Sequence, residues 1–212
     1  DISPLHRKLI NQFWPGPLTI LFPKQSRVLS LVTAGLPTVA VRMPKHPITL
    51  ELIRKTGPVV APSANISGTP SAPKPDHVLE DFGPDFPVLD GGSCEHGLES
   101  TVVEIVHQTI MIHRPGAISA DELSDIAPLT NALGHGHERP KSPGQKYRHY
   151  APKARVQWMP NDRSQWNEKA AMIISLQSYS APKPMINSNE DIEHLDWNGN
   201  WEALAKNLYD CF

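Results

Sequence analysis

The sequence contains no G-x-x-x-x-G-K-[S/T] phosphate loop, no G-x-G-x-x-G opening a helix, no G-x-S-x-G elbow and no H-E-x-x-H pair. Kinase-like, hydrolase-like and metalloprotease readings therefore have no motif to rest on. Its two cysteines, Cys94 and Cys211, lie far apart without C-x-x-C spacing, which suggests neither a disulfide framework nor a zinc site. No apolar run approaches the roughly 18 residues needed to span a bilayer, and no basic-then-apolar leader opens the chain. The expectation is a cytoplasmic protein with no membrane partner. Charge of one sign is also scarce. A formal net charge of −2 argues against a surface dominated by phosphate-backbone contacts, so nucleic acid is expected only as a local or indirect partner. Asp1 stands where an initiator Met would, and we expect a cut, processed or partial chain.

Proline is what the sequence has in excess, at 22 of 212 residues, and its placement divides the chain into short elements. "LHRKLINQFW" (5–14) repeats apolar residues at helical spacing and stops at Pro15, while "LTILF" (18–22) and "TVAVRM" (38–43) read as strands. "PITLELIRKTG" (47–57) predicts a helix with Pro in its first turn and Gly after its end. "VVA" (59–61) reads as a buried strand, "PDHVLEDFG" (75–83) as a helix, and "VLDGG" (88–92) as a strand end. "STVVEIV" (100–106) and "TIMIHR" (109–114) form a hairpin pattern. With 39% hydrophobic residues the chain can bury a core, and the alternation predicts a mixed α/β domain with functional loops at its strand ends.

After about residue 127 the texture changes. Residues 131–154 are rich in Gly, Pro and cationic side chains, the composition of a linker, yet Tyr147 and Tyr150 are anchors that a flexible spacer does not need. Beyond them "RVQWM" (155–159), "AAMIISL" (170–176) and "WEALAKNLYDCF" (201–212) predict the start of a smaller α/β domain. The expected organisation is a domain over 1–130, a linker or lid over 131–154 and a partial second domain over 155–212.

Several polar stretches admit two readings. "APSANISGTPSAP" (61–73) is either a long turn, whose Ser and Asn bond their own backbone, or a cradle for an anionic ligand at a strand's carboxyl end. "GGSCEHGLEST" (91–101) leads into a hairpin or forms a second hydroxyl-bearing loop. In "HRPG" (113–116), Arg114 could hold a phosphate or cap a carboxylate. "FWPGPLT" (13–19) reads as a structural turn with packed aromatics. His135 and His137 lack Cys or Asp partners and read as solvated linker residues rather than metal ligands.

In order, "FWPGPLTILFP", "TVAVRMPKHP", "APSANISGTPSAP", "LDGGSCEHGLESTVVEI", "IHRPGAIS" and "SPGQKYRHYAP" closely resemble the Sua5 branch of the YrdC/Sua5 family, the threonylcarbamoyl-AMP synthases. The resemblance is strong over residues 5 to 155 and weak over the tail. It implies a twisted mixed sheet with helices, the YrdC-like domain, followed by a linker and a Sua5 domain. It also implies an activity: L-threonine, bicarbonate and ATP give threonylcarbamoyl-adenylate and pyrophosphate, the first step towards t6A37 in ANN-decoding tRNAs. Partners would be those substrates, with t6A-pathway transferase proteins and tRNA reached indirectly. Mg²⁺ would arrive with ATP.

By similarity to the family, Thr38, Ser63, Ser71, Arg114 and Tyr150 would contact ATP. Arg42, the Ala61 backbone and Ser100 would contact threonine, and Asn65 would hold the loop's shape. Thr38 and Arg42 lie four apart in "TVAVR", so on a strand they point to one face. The family also begins with a T-x-T-V-Y-G-L-like strand and a K-x-R segment, and neither occurs here. The expected domain therefore lacks its N-terminal third, and the missing cations count against activity of these 212 residues alone. Gln145 stands where the family usually has Met. The competing expectation is an RNA-binding or regulatory YrdC-like module without catalysis.

Overall fold

The computed structural model describes residues 2–130, 172–175, 193–196 and 200–208. Helix α1 (Pro4–Phe13) begins where its sequence signals predict. The Ser3 hydroxyl accepts from the His6 amide, the Ser3 amide donates to His6 Nδ1, and Pro4 occupies the first helical position. Leu5, Leu9 and Phe13, spaced four apart, are buried against the sheet.

That sheet has the order β2-β1-β3-β4-β5, with β1 Leu18–Pro23, β2 Thr38–Val41, β3 Thr101–Val106, β4 Thr109–Arg114 and β5 Leu129–Thr130. β1 pairs antiparallel with β2 and parallel with β3; β3 and β4 are antiparallel, and β4 and β5 parallel. The expected hairpin is present. Its two turn residues, His107 and Gln108, both have positive φ (46° and 65°), which matches the right-handed twist of the strands. One face of the sheet carries the core: Leu18, Ile20, Val103 and Ile110 meet α1, together with Ile118 and Leu123 of the segment that forms α4 (Ala120–Ser124). Each such fully buried side chain stabilises the domain by about 1.5–3 kcal/mol. The alternate residues face the other way, and the candidate site is on that side.

Helices α2 (Pro47–Thr56) and α3 (Pro75–Phe82) also form as their punctuation predicts. Two expected strands do not. Residues 59–61 and 88–92 are irregular, with Val60 70% and Leu89 74% exposed. An apolar run becomes a strand only when a neighbour takes up its backbone hydrogen bonds, and no described strand pairs with either run. Ile48 and Leu52 of α2 are exposed as well, so the apolar content of this region is uncovered among the described residues. In the second region, β6 (Met172–Ser175) and β7 (Glu193–Asp196) form a two-stranded parallel sheet, and α5 (Trp201–Asn207) follows, capped by Asn200.

His6 makes α1 sensitive to acid. Its Nδ1 accepts from the Ser3 amide at 3.2 Å, and its ring stacks on Phe22 at 4.9 Å; burial lowers its pKa from 6.5. The unfolded chain takes up a proton near pH 6.5 and the folded one does so only below that. This contribution to stability is therefore present above pH 6.5 and lost as pH falls towards the folded value. Thermal unfolding of His6→Gln, which keeps a capping-box side chain, is expected to show a shallower loss of stability over that interval than wild type. Parallel pH profiles would remove His6 from this role.

Candidate active site

On the face opposite α1, the strand registers bring polar side chains into rows. Thr38 and Ala40 of β2 oppose Pro23 and Leu21 of β1, and Arg42 comes directly after the strand's last residue, Val41. Thr19 of β1 opposes Val102 of β3, which opposes Arg114 of β4, so Thr19 and Arg114 flank one level of the sheet. Ser100, immediately before β3, is buried between them.

Hydrogen bonds tie this level together. Arg114 donates to the Ser100 carbonyl through Nε (3.2 Å) and Nη2 (2.8 Å), and Nη2 also reaches the Ser100 hydroxyl at 3.1 Å. The Thr19 hydroxyl lies 2.7 Å from that of Ser100. Beneath them, Thr101 Oγ1 donates to the Ile118 carbonyl at 2.7 Å and accepts from the Ile118 amide at 2.9 Å, clamping the turn after β4 onto the start of β3. Arg42 Nε donates to the Gly16 carbonyl at 2.9 Å, and the Gly16 amide donates back to the Met43 carbonyl at 2.9 Å. "FWPGPLT" is thus more than a packing turn: Gly16 aims Arg42 and Thr19 touches Ser100.

Arg42 and Arg114 are close enough to repel. Part of Arg42 is open to solvent, yet partial burial, and after it the Arg114 charge, pulls its pKa below the usual arginine value. Two cations held close together favour an anion between them. A cavity of about 650 Å³ opens beside Arg42, lined also by Gly16, Lys45, His46, Gly91 and Cys94. A shallower depression of about 450 Å³, lined by Lys8, Asn11, Gln12, Asp125 and Ile126, lies on the α1 side of the sheet, away from this chemistry.

The 61–73 loop is fixed by its own polar groups. Asn65 Nδ2 donates to the carbonyls of Ile66 (2.9 Å) and Thr69 (3.1 Å), and the Ile66 amide donates to Asp81 of α3 at 3.0 Å. Asn65 Oδ1 is buried without a hydrogen-bond partner among the described residues. Ser71 donates to Glu99 at 2.8 Å, and the Cys94 amide donates to the Pro73 carbonyl at 2.8 Å, so this loop is joined to the 91–101 loop. The structure therefore brings Ser100 and Arg114 into contact, places Arg42 within electrostatic reach of Arg114, and connects Ser71 to Ser100 through Glu99. Thr38 is half-buried, Ala61 and Ser63 are exposed, and among the described residues no side-chain hydrogen bond links Thr38 or Ser63 to the cluster. Tyr150 lies outside the described residues. The backbone of Ala205 and Lys206 in α5 packs against Gly97 of the 91–101 loop, leaving no room there for a Cβ.

Sequence reading missed Thr19, Gly16 and Glu99. Thr19 did carry a signal, because its position in β1 alternates out of phase with the core residues Leu18 and Ile20.

A family model described as "Telomere recombination", covering Sua5, YciO and YrdC proteins, matches residues 1–116. A second, described as "Threonylcarbamoyl-AMP synthase, C-terminal domain", matches residues 118–212. The chain belongs to the YrdC/Sua5 family. Over 210 residues it is 38% identical to a protein of Pyrococcus abyssi named threonylcarbamoyl-AMP synthase, covering 95% of this chain and 62% of that one. It is 36% identical to the protein of the same name from Bacillus subtilis, covering 97% of this chain and again 62% of the relative. The crystal structure of P. abyssi Sua5 complexed with L-threonine superposes with a TM-score of 0.76 at 31% identity, over all of this chain and 65% of that one. This YrdC/Sua5 chain thus spans somewhat less than two thirds of the length of these relatives. Among its described residues, no helix is long and apolar enough to cross a membrane.

Proposed function

We propose that the full-length protein is a cytoplasmic L-threonylcarbamoyladenylate synthase that combines L-threonine, bicarbonate and ATP for tRNA t6A37 formation. The observation that carries this reading is the grip of Arg114 on Ser100 on the open sheet face, with a second cation, Arg42, held nearby by the Gly16 carbonyl. A binding site for an amino-acid carboxylate and a nucleotide phosphate calls for such a group. The likeness to a Sua5 protein crystallised with L-threonine supports the amino-acid half.

In this reading Arg42, the Ala61 backbone and Ser100 hold threonine. Thr38, Ser63, Ser71, Arg114 and Tyr150 hold ATP, and Asn65 keeps the loop between them in shape. The threonine amine and bicarbonate form a carbamate with loss of water. The carbamate oxygen attacks the α-phosphorus in line, and pyrophosphate leaves with the bond's electrons. No enzyme nucleophile is needed; positioning and charge stabilisation by cations, hydroxyls and backbone amides lower the barrier. Mg²⁺, if it arrives with ATP, would supply further charge neutralisation beside the cationic side chains of Arg42 and Arg114. Among the described residues no cluster of His, Cys, Asp or Glu gathers to hold a metal of its own. The intermediate would then pass to the transferase proteins that act on tRNA.

Titration of the full-length protein with amino acids tests the reading. L-Threonine is expected to bind measurably more tightly than L-valine, because a site that hydrogen-bonds a hydroxyl rejects the isostere lacking it. Equal affinities would contradict the threonine assignment.

A further inference from the structure

We propose that Thr19 is a positioning residue that sets the direction of the Ser100 hydroxyl proton and so the recognition of the ligand's carboxylate. The inference rests on the threonine reading above and adds to it a residue with no role there. A serine hydroxyl has one proton and two acceptor sites. Arg114 Nη2, which can only donate, takes one acceptor site of Ser100 at 3.1 Å. Thr19 Oγ1, at 2.7 Å, takes either the second acceptor site or the proton. Those two choices leave opposite faces for a ligand. If Thr19 donates, the Ser100 proton is free to donate outward; if Thr19 accepts, Ser100 presents only a lone pair.

The electrostatics of the level decide between them. Arg114 sits against Ser100, and Arg42 is near enough to Arg114 to feel its charge, so the expected ligand group is an anion. An anion is served by an outward proton. Thr19 then donates to Ser100, and Ser100 accepts from Thr19 and Arg114 together and donates to a carboxylate oxygen. Among the described residues the Thr19 hydroxyl makes no hydrogen bond besides the one with Ser100, and its strand fixes it opposite Val102 at the same level as Arg114. The Ser100 carbonyl is already held by Arg114, while the Ser100 hydroxyl proton can still rotate; a hydrogen bond donated by Thr19 removes that freedom before the ligand arrives.

The test compares Thr19→Val and Thr19→Ser with wild type in the full-length protein, using L-threonine and L-threoninamide, which lacks the carboxylate. Thr19→Val is expected to weaken L-threonine binding about 3- to 10-fold, the scale of one lost hydrogen bond. It should weaken L-threoninamide much less, so the preference for the acid over the amide shrinks. Thr19→Ser should restore that preference. Equal weakening of both ligands by Thr19→Val, or failure of Thr19→Ser to restore the preference, would assign Thr19 a purely structural role and overturn the proposal. Should Thr19→Val not fold, Thr19→Ala against Thr19→Ser reads the same ratio. If wild type itself binds neither ligand, the threonine reading fails, an outcome distinct from wild-type binding that Thr19→Val leaves unchanged.

Discussion

Arg114→Ala is expected to weaken ATP binding by the full-length protein by about 1.5–3 kcal/mol, roughly 10- to 150-fold, the range for a lost charge-assisted hydrogen bond. The side chain has two functions in this site. It brings a positive charge beside Arg42, and it holds the Ser100 carbonyl and hydroxyl with three hydrogen bonds. Arg114→Lys separates them, since an ammonium keeps the charge but cannot reproduce the planar fork that spans Nε and Nη2. Lysine should therefore recover part of the affinity. An ATP titration unchanged by Arg114→Ala would remove this residue from the nucleotide site.

Gly116→Ala is expected to damage both the fold and the site. A Cβ at this position would meet the Glu99 carbonyl and the backbone of Ser100 and Thr101, and backbone cannot swing aside as a side-chain end can. Relief of the collision would part the turn after β4 from the start of β3. The bond from the Ala117 amide to Glu99 and the reciprocal Thr101–Ile118 pair would weaken with it. Overpacking of this kind costs about 1–3 kcal/mol. At about 2–4 °C per kcal/mol for a chain of this size, the melting temperature should fall by several degrees. Because Ser100 and Arg114 lie on the two parted segments, threonine binding should be lost more completely than stability. A melting curve and a threonine titration check both effects. Wild-type values in each would mean that the close approach of 116 to 99–101 does not hold the site.

The elements that could be read from the sequence are those whose signals are local. α1 shows its apolar spacing and its proline punctuation, the β3–β4 hairpin shows period-two patterns, and α2 and α3 each have Pro at the start and Gly just past the end. The shared phase of Thr38 and Arg42 is expected from the same periodicity, while the register of β2 on β1 covers Thr38 to Val41 and stops one residue short of Arg42. A strand at 59–61 or 88–92 could not be settled this way, because strand formation depends on a neighbour that a short window does not contain. Long-range contacts were equally out of reach. Thr19 and Ser100 are 81 positions apart, and Ser71 and Glu99 are 28 apart. β5, at two residues, is too short to carry a pattern. α4 differs: its capping box, with Ser119 and Glu122 three apart, is a start signal that is local and legible in the sequence.

Incubation of the full-length protein with ATP, L-threonine and ¹³C-bicarbonate, followed by mass spectrometry of the nucleotide products, tests the proposed chemistry most directly. The expected product is an adenylate that carries both the threonine and one bicarbonate-derived carbon, formed in step with pyrophosphate and absent when any one substrate is omitted. ATP and threonine binding without that labelled adenylate would contradict catalysis and leave the open sheet face of this YrdC/Sua5 chain as a ligand-binding, regulatory site.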